Sequence, residues 1–255
     1  MTEPILFFDI PSSVPGVAWS PNTWIIRYAL NYKGLPYKTV WIEYPDIADH
    51  CLRIGAEPSM IRKNGKPYYS LPTIQDPNTG AVVSDSFRIA VYLDATYADT
   101  PRLIPQGTRT LQKTFRFAFD KMTEPVVPLI LPGVPDILFP RSREYFRRTR
   151  AESFGKPLEE LVPEGEARDA AWQSLQENYG KFAEWLDEES AGPYVMGDQL
   201  SFGDLVVAGE LKWYMIGWGK ESEFWKDLKT WHAGRWIKLL ESVAQYEGPV
   251  ESPVS

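Results

Sequence analysis

Residues 5–42 read ILFFDIPSSVPGVAWSPNTWIIRYALNYKGLPYKTVWI and switch from a strand pattern to a helix pattern and back. The apolar run at 5–8 ends before Pro11 and is typical of a buried strand. Large apolar residues then recur at helical spacing from 24 to 32, and an alternating segment begins at Tyr37. This stretch therefore predicts a β-α-β unit at the start of an α/β domain.

The pattern continues for about a hundred residues and then changes. A short helix is predicted near 47–54, a hairpin with its turn at 76–80 follows, and an amphipathic helix comes next. The order over residues 1–97 is β-α-β-α-β-β-α, and a linker with prolines and a glycine follows at 98–108. Long helical patterns occupy 108–124, 166–188, 202–217 and 221–246. The predicted fold class is α/β plus all-α, with the helical domain at 109–255.

The side chains used most often for nucleophilic or metal chemistry are scarce in this sequence. Its 255 residues include one cysteine, Cys51, and two histidines, His50 and His232. A disulfide framework is excluded, a zinc site of the Cys/His kind lacks ligands, and a Ser-His-Asp hydrolase has only two candidate bases. We expect no bound metal, and we interpret Cys51 as a small buried hydrophobe.

Charge and hydropathy restrict the compartment and the partners. The net charge of −7 argues against nucleic-acid binding. The longest apolar run, at 126–134, is interrupted by two prolines and is too short for a membrane span, and the N-terminus lacks the basic region of a signal peptide. We therefore expect a cytoplasmic protein that binds neither nucleic acid nor membranes. Aromatic residues make up 14% of the chain, which favours either an aromatic core or a wide apolar pocket.

Ser20 is the first residue whose position suggests chemistry. It precedes Pro21, a residue that suits the first turn of a helix, so Ser20 lies at or near the N-cap. Unpaired backbone N–H groups and the positive end of the helix dipole favour an anion there, and a thiolate is a suitable anion. A plain N-capping serine is the commoner explanation. Asn22 has two interpretations: it is a residue of the first helical turn only, or its side-chain amide also reaches the anion and assists or replaces Ser20.

Two further motifs, at 71–72 and 85–86, carry groups that could each bind one part of a ligand. Pro72 begins a strand after a loop, so Leu71–Pro72 is a candidate cis bond that turns the backbone of Leu71 toward a ligand. Asp85 and Ser86 open a helix, where the carboxylate pairs with an ammonium group and the hydroxyl holds a carboxylate. Helix capping explains Asp85 and Ser86 as well. Taken with Ser20, the motifs describe a peptide-like ligand with a thiol and an α-amino acid group.

At these motifs the chain resembles the cytosolic glutathione transferases, which join a thioredoxin-like domain to a helical domain. The run FFDIPSSVPGVAWSPNTWIIRYALNYKGLPYKTVW is most similar to the fungal class A (FuA) transferases, relatives of the bacterial lignin β-aryl-etherases. The resemblance implies that glutathione is the cosubstrate and that Ser20 donates a hydrogen bond to its sulfur. It also implies that Leu71 and Pro72 bind the cysteinyl backbone and that Asp85 and Ser86 bind the γ-glutamyl group.

Further expectations accompany the resemblance. A capping box at 201–204 begins a helix where the family has one. The segment at 43–69 is longer than the family usually needs, and it is a lid over the glutathione site, a dimer contact or a tolerated insertion. Lys66 in this segment is a candidate for the glycyl carboxylate of glutathione, on charge alone. The family implies a homodimer, and this segment predicts a non-standard dimer geometry.

The implied activity is transfer of glutathione, activated as the thiolate, to electrophilic aromatic xenobiotics or plant- or wood-derived compounds, or its reaction with peroxides. β-Aryl ether cleavage and maleylacetoacetate-type isomerisation use the same thiolate. A ligandin, which carries aromatic polyphenols with low turnover, is the non-enzymatic alternative. Five of the ten tryptophans fall within 213–236, and we expect some of them to line the acceptor site. The five arginines at 141–150 are interpreted as a solvated helix face rather than an anion-binding patch.

Overall fold

The computed structural model of the chain describes residues 3–161, 165–189 and 192–249. The strands are β1 Ile5–Asp9, β2 Tyr37–Trp41, β3 Met60–Ile61, β4 Pro67–Tyr68, β5 Thr73–Asp76 and β6 Ala81–Ser84. The helices are α1 Pro21–Tyr32, α2 Ile47–Arg53, α3 Ser86–Thr96, α4 Arg109–Met122, α5 Val127–Ile130, α6 Pro140–Phe154, α7 Glu166–Glu189, α8 Phe202–Trp218, α9 Glu223–Leu228 and α10 Trp231–Ser242. The predicted α/β domain followed by a helical domain is confirmed, and the small hairpin β3–β4 is an addition to the predicted order.

The main sheet has the strand order β2-β1-β5-β6. β1 pairs with β2 in parallel and with β5 antiparallel, and β5 pairs with β6 antiparallel. β1 is an interior strand with almost no exposed side chain, which agrees with its unbroken apolar run. This mixed sheet with helices between its strands is the thioredoxin-like arrangement, and it brings the loop before α1 beside the start of β5.

A buried ion pair ties α1 to β1. Arg27 and Asp9 are both 0% exposed, and Arg27 Nη2 lies 2.9 Å from Asp9 Oδ2. The guanidinium also bonds the hydroxyls of Tyr37 and Thr39 on β2 at 3.3 Å. Burial raises the pKa of Asp9, and the neighbouring guanidinium opposes that rise. The pair and these hydroxyls therefore join α1 to both β1 and β2.

Helix α8 is the centre of the helical region and packs mainly on α1. The predicted capping box is present: Asp204 Oδ2 accepts hydrogen bonds from the backbone N–H and the hydroxyl of Ser201, each at 2.8 Å. α8 is apolar on nearly every face, as expected for a helix enclosed by others. At Gly209 the two helices approach so closely that a β-carbon would lie 2.7 Å from the carbonyl oxygen of Pro21.

The helical pattern predicted at 221–246 is interrupted in the structure. α9 and α10 replace the single helix, and His232, Ala233 and Gly234 have left-handed backbone angles, with φ of 52°, 55° and 73°. The imidazole Nδ1 of His232 accepts a hydrogen bond from the indole of Trp236 at 2.8 Å, which holds this turn. The spacing of apolar residues at 221–246 indicated which side chains are buried, but it did not indicate the turn in the backbone at 232–234.

Most tryptophans of the helical region belong to its core. Trp213, Trp225, Trp231 and Trp236 are each at most 7% exposed. The rings of Trp213, Trp231 and Trp236 contact other aromatic rings. Core packing therefore accounts for the aromatic content of these helices. No helix of the described ranges is long and apolar enough to cross a membrane.

Candidate active site

Ser20 is the N-cap residue of α1, and its hydroxyl is not used for capping. Its backbone is extended, with φ −68° and ψ 131°, and the side chain makes no capping hydrogen bond. Its carbonyl oxygen instead accepts bonds from the backbone of Trp24 and from the hydroxyl of Thr23, at 3.0 and 3.1 Å. Pro21 follows as the first helical residue. The hydroxyl of Ser20 is therefore available to donate to an anion at the helix N-terminus.

Asn22 lies two residues further along, in the first turn of α1, and is oriented by a side chain from the helical domain. Its Oδ1 accepts a hydrogen bond of 3.0 Å from Arg116 on α4, and Arg116 also pairs with Asp120 at 3.0 Å. Because the carbonyl end of the amide is occupied, its NH₂ end remains as the donor. The sequence did not indicate Arg116, because it is 94 residues from Asn22 and carries no local motif.

The Leu71–Pro72 peptide bond is cis, as the sequence predicted. Leu71 is 5% exposed and lies in the loop before β5, two residues ahead of its first residue. The carbonyl oxygen of Pro72 accepts a 3.2 Å hydrogen bond from the backbone N–H of Asp85. The two motifs that were separate in sequence are therefore adjacent, because β5 and β6 pair between them.

Asp85 has φ +82°, a left-handed value that is uncommon outside glycine. Its Oδ1 caps α3 by accepting from the backbone N–H groups of Phe87 and Arg88, at 3.1 and 3.0 Å. The capping interpretation of Asp85 is thus correct for this oxygen. In the described ranges Oδ2 has no hydrogen-bond partner, and the hydroxyl of Ser86, at the first position of α3, has none either.

A cavity of about 400 Å³ opens beside Ser20. Its lining includes Ser20, Asn22, Ser70, Leu71, the four tyrosines Tyr44, Tyr68, Tyr69 and Tyr145, and the two arginines Arg62 and Arg150. Asp85 and Ser86 lie outside this lining. The tryptophans at 213–236 are also absent from it, so tyrosines rather than tryptophans form the aromatic wall next to Ser20.

Lys66 does not reach the cavity. It is exposed at the tip of the β3–β4 hairpin, where its backbone N–H bonds Asn64 Oδ1 at 3.1 Å. Arg62, across the same hairpin, lines the cavity and stacks on Tyr68 with its guanidinium carbon 4.3 Å from the ring centre. The hairpin therefore presents a different cation to the site from the one that sequence reasoning selected.

The reactive side chains that the sequence does contain lie elsewhere. Cys51 is 0% exposed, and burial raises the pKa of its thiol. Burial lowers the pKa of His50, whose ring packs against Phe8. The described residues hold no cluster of three or more candidate metal ligands.

Comparisons with known proteins identify the family of the chain. The model of the glutathione S-transferase N-terminal domain matches residues 19–96, and that of the C-terminal domain matches residues 110–246. A glutathione S-transferase-like protein of Aspergillus flavus, ustS, is 32% identical over 260 residues, covering 96% of this chain and 91% of that protein.

Two solved structures are similar over nearly their whole length. A glutathione S-transferase of Ceriporiopsis subvermispora, crystallised with glutathione, is 45% identical with a TM-score of 0.92, covering 99% of this chain and 100% of that one. The FuA3 glutathione transferase of Phanerochaete chrysosporium is 43% identical with a TM-score of 0.91, covering 97% and 98%. The resemblance to the FuA transferases is confirmed, and the chain belongs to the glutathione S-transferase family.

Proposed function

We propose that this chain binds glutathione beside Ser20 and transfers it, as the thiolate, to an electrophilic aromatic acceptor in the adjoining cavity. The observation that carries the proposal is the free hydroxyl of Ser20 at the N-terminus of α1, next to Leu71 and the cis bond. A hydrogen bond and the helix dipole both stabilise a negative sulfur at that position. The structure of the Ceriporiopsis relative with glutathione supports the choice of thiol.

We assign the remaining groups of glutathione to residues on either side of Leu71 in the chain. The backbone of Leu71 pairs with the cysteinyl residue, and the adjacent Pro72 holds that backbone in place. The free Oδ2 of Asp85 accepts from the γ-glutamyl ammonium group, and Ser86 with the N-terminus of α3 holds the γ-glutamyl carboxylate. Arg62, rather than the exposed Lys66, is assigned to the glycyl carboxylate, because Arg62 lines the cavity.

In the proposed reaction the thiol loses its proton to solvent, and the sulfur then bonds to the electrophilic carbon of the acceptor. The leaving group departs with the electron pair of the bond that breaks. Ser20 and Asn22 act by donating hydrogen bonds to sulfur, so no general base from the chain is needed. Peroxide reduction, ether cleavage and low-turnover carriage of polyphenols would use the same cavity and differ in the acceptor that enters it.

The test is the pKa of bound glutathione in the variants Ser20→Ala and Asn22→Ala, measured from the ultraviolet absorbance of the thiolate and from the pH profile of kcat/KM. Loss of a hydrogen bond to a charged atom costs about 1.5–3 kcal/mol, so the more important of the two variants should raise the thiol pKa by about 1–2 units. Ser153→Ala, a surface serine on α6, is the control. Unchanged thiol pKa in both active-site variants would overturn the assignment.

The compartment and assembly are part of the same proposal. We assign the protein to the cytoplasm and expect a homodimer. Exposed apolar side chains support the dimer: Leu111 and Phe117 on α4 are 65% and 67% exposed, and Met60 and Ile61 on the hairpin are 58% and 62% exposed. Multi-angle light scattering gives the mass directly. Hydrogen exchange then locates the contact on α4, on the hairpin or on both, and the hairpin would give the non-standard geometry predicted from the segment 43–69.

A further inference from the structure

Helix α6 carries five arginines, and four of them are engaged by other groups of the chain. Arg141 pairs with Asp46 at 2.8 Å, Arg147 pairs with Glu159, and Arg148 pairs with Glu152 at 3.2 Å. Arg143 donates to backbone carbonyl oxygens, among them that of Pro135 at 2.8 Å. These side chains form the solvated and structural face of the helix that the sequence predicted.

Arg150 differs from the other four. No carboxylate of the described residues lies within ion-pair distance of it, and its hydrogen-bond partners among those residues are neutral hydroxyls, that of Thr149 at 3.4 Å and that of Tyr44. The guanidinium is partly buried and lines the cavity beside Ser20. A cation in such a position gains most from an anion that enters the cavity.

Aromatic rings hold Arg150 in place. Its guanidinium carbon lies 4.5 Å from the ring centre of Phe146 and 5.9 Å from that of Tyr44. Burial raises the pKa of Tyr44 to about 12, and the guanidinium opposes that rise, so the phenol stays neutral and does not neutralise the cation. A side chain fixed in this way loses little conformational freedom when it binds a ligand.

The rest of the cavity suits a flat ring that carries a negative charge. Tyr44 and Tyr145 lie nearly parallel, with an interplanar angle of 17° and ring centres 6.2 Å apart. The described lining contains two arginines and no aspartate or glutamate, although the chain as a whole has a net charge of −7. The local charge therefore opposes the charge of the protein, which favours anions at this site.

We propose that Arg150 determines acceptor specificity, and that the preferred acceptors are aromatic electrophiles carrying a carboxylate or another acid that is ionised at neutral pH. This inference rests on the proposed transferase function, because it names the acceptor of that reaction. Glutathione is itself an anion, so the glycyl carboxylate is the other source of negative charge that Arg150 would meet. Arg62 belongs to the β3–β4 hairpin, which directly precedes Leu71, the residue to which we assign the cysteinyl backbone of glutathione. Arg150 belongs to the helical domain, and we therefore assign it to the acceptor.

A matched pair of acceptors separates these sources: 4-chloro-3,5-dinitrobenzoate and its neutral methyl ester. In both, the sulfur of glutathione bonds to the ring carbon that carries chlorine, the carbon–chlorine bond breaks, and chloride leaves with the electron pair. The thiol proton goes to solvent, and the acid or ester group is unchanged. The ratio of kcat/KM for acid to that for ester then measures recognition of the acid group.

We expect Arg150→Met to lower this ratio about tenfold, which corresponds to the loss of one charge-assisted interaction that is partly exposed to solvent. Arg150→Lys should retain part of the preference, and Arg147→Met, whose arginine pairs with Glu159 on the surface, should leave the ratio unchanged. Activity toward the ester reports whether each variant is folded.

Two results would overturn the inference alone. One is an acid-to-ester ratio that is the same in Arg150→Met and wild type. The other is an equal loss with both acceptors together with a raised KM for glutathione, which would assign Arg150 to the glycyl carboxylate. Failure of the wild type to conjugate either acceptor would instead refute the proposed function, and this inference with it.

Discussion

Helix α8 packs closely against the N-terminal end of α1 at Gly209, and the substitution Gly209→Ala tests whether this contact positions Ser20. A β-carbon there would lie 2.7 Å from the carbonyl oxygen of Pro21 and 3.0 Å from Cγ1 of Ile25. Ordinary contact begins at 3.4 Å, so in Gly209→Ala the helix α8 must move away from Pro21 by about 0.7 Å. The oxygen belongs to the backbone, so no side-chain rotation relieves the contact.

The expected loss of stability follows from two opposing effects. Overpacking a close contact costs about 1–3 kcal/mol, and a backbone neighbour places this site in the upper part of that range. Alanine regains up to about 1 kcal/mol through its higher helix propensity. The net loss in unfolding free energy is therefore about 1–2 kcal/mol, and the melting temperature should fall by about 2–8 °C for a chain of this length.

Activity should fall as well, because Pro21 directly follows Ser20. A displacement of several tenths of an ångström changes the distance from the Ser20 hydroxyl to a sulfur anchored by Leu71, and we expect kcat/KM for conjugation to drop about tenfold. Thermal melts followed by circular dichroism and steady-state kinetics measure the two effects.

Gly133→Ala is the matched control, since its β-carbon would lie 3.8 Å from the nearest atom, the carbonyl oxygen of Gly217. It should change the unfolding free energy by no more than about 0.5 kcal/mol. An unchanged or higher melting temperature in Gly209→Ala would refute the packing argument. A lower melting temperature with wild-type kcat/KM would refute the coupling of this contact to Ser20.

Three further substitutions test charged groups. Arg27→Met leaves the buried carboxylate of Asp9 without its cation, so urea denaturation at pH 8 should show a loss of about 3–5 kcal/mol. Burial raises the pKa of Glu210 from 4.5 to about 7, so its ionisation opposes folding. The stability of the wild type relative to Glu210→Gln should be highest below pH 4.5 and should fall by up to about 3 kcal/mol as the pH rises through 7, as urea titrations at several pH values will measure. Arg116→Met releases the amide of Asn22, so kcat should fall about threefold to tenfold while the KM for glutathione stays near its wild-type value in steady-state assays.

Each of these predictions has a clear contrary result. Lys121→Met on α4 removes an exposed ion pair with Glu124 and should change neither stability nor kinetics appreciably. Wild-type stability of Arg27→Met at pH 8 would mean that Asp9 does not need its cation. Parallel pH profiles for Glu210→Gln and wild type would contradict the raised pKa, and a change confined to the KM for glutathione would contradict the role given to Arg116.

The features that the sequence predicted correctly depend on residues that are neighbours in the chain. The Ser20–Pro21 helix start, the cis bond before Pro72 and the capping box at 201–204 each depend on neighbouring residues, and all three are present. Strand and helix periodicity likewise predicted the sheet, because burial alternates with the period of each element.

Contacts between distant segments account for what the sequence did not reveal. Arg116 reaches Asn22 from another domain, and Arg150 differs from four neighbouring arginines only in what surrounds it after folding. Lys66 and Arg62 are both cations of one short hairpin, and only the turn geometry decides which of them faces the cavity. These cations differ in the distant residues that surround them after folding. Residue type and local spacing carry no information about those distant neighbours, so no sequence pattern distinguishes one cation from another.

The scarcity of cysteine and histidine has a consequence for the pH dependence of the proposed reaction. Cys51 is buried with a raised pKa, and His50 has a lowered pKa and packs against Phe8, so neither supplies a thiolate or a base beside Ser20. The sulfur must then come from the ligand, and its proton must leave to solvent. Because the described lining of the cavity holds no histidine, cysteine or carboxylate, kcat/KM for the acceptor at saturating glutathione should rise with pH along one limb, whose midpoint is the pKa of bound glutathione. Ser20→Ala should move that midpoint upward without adding a second one, whereas a hidden general base would leave a second ionisation in the profile.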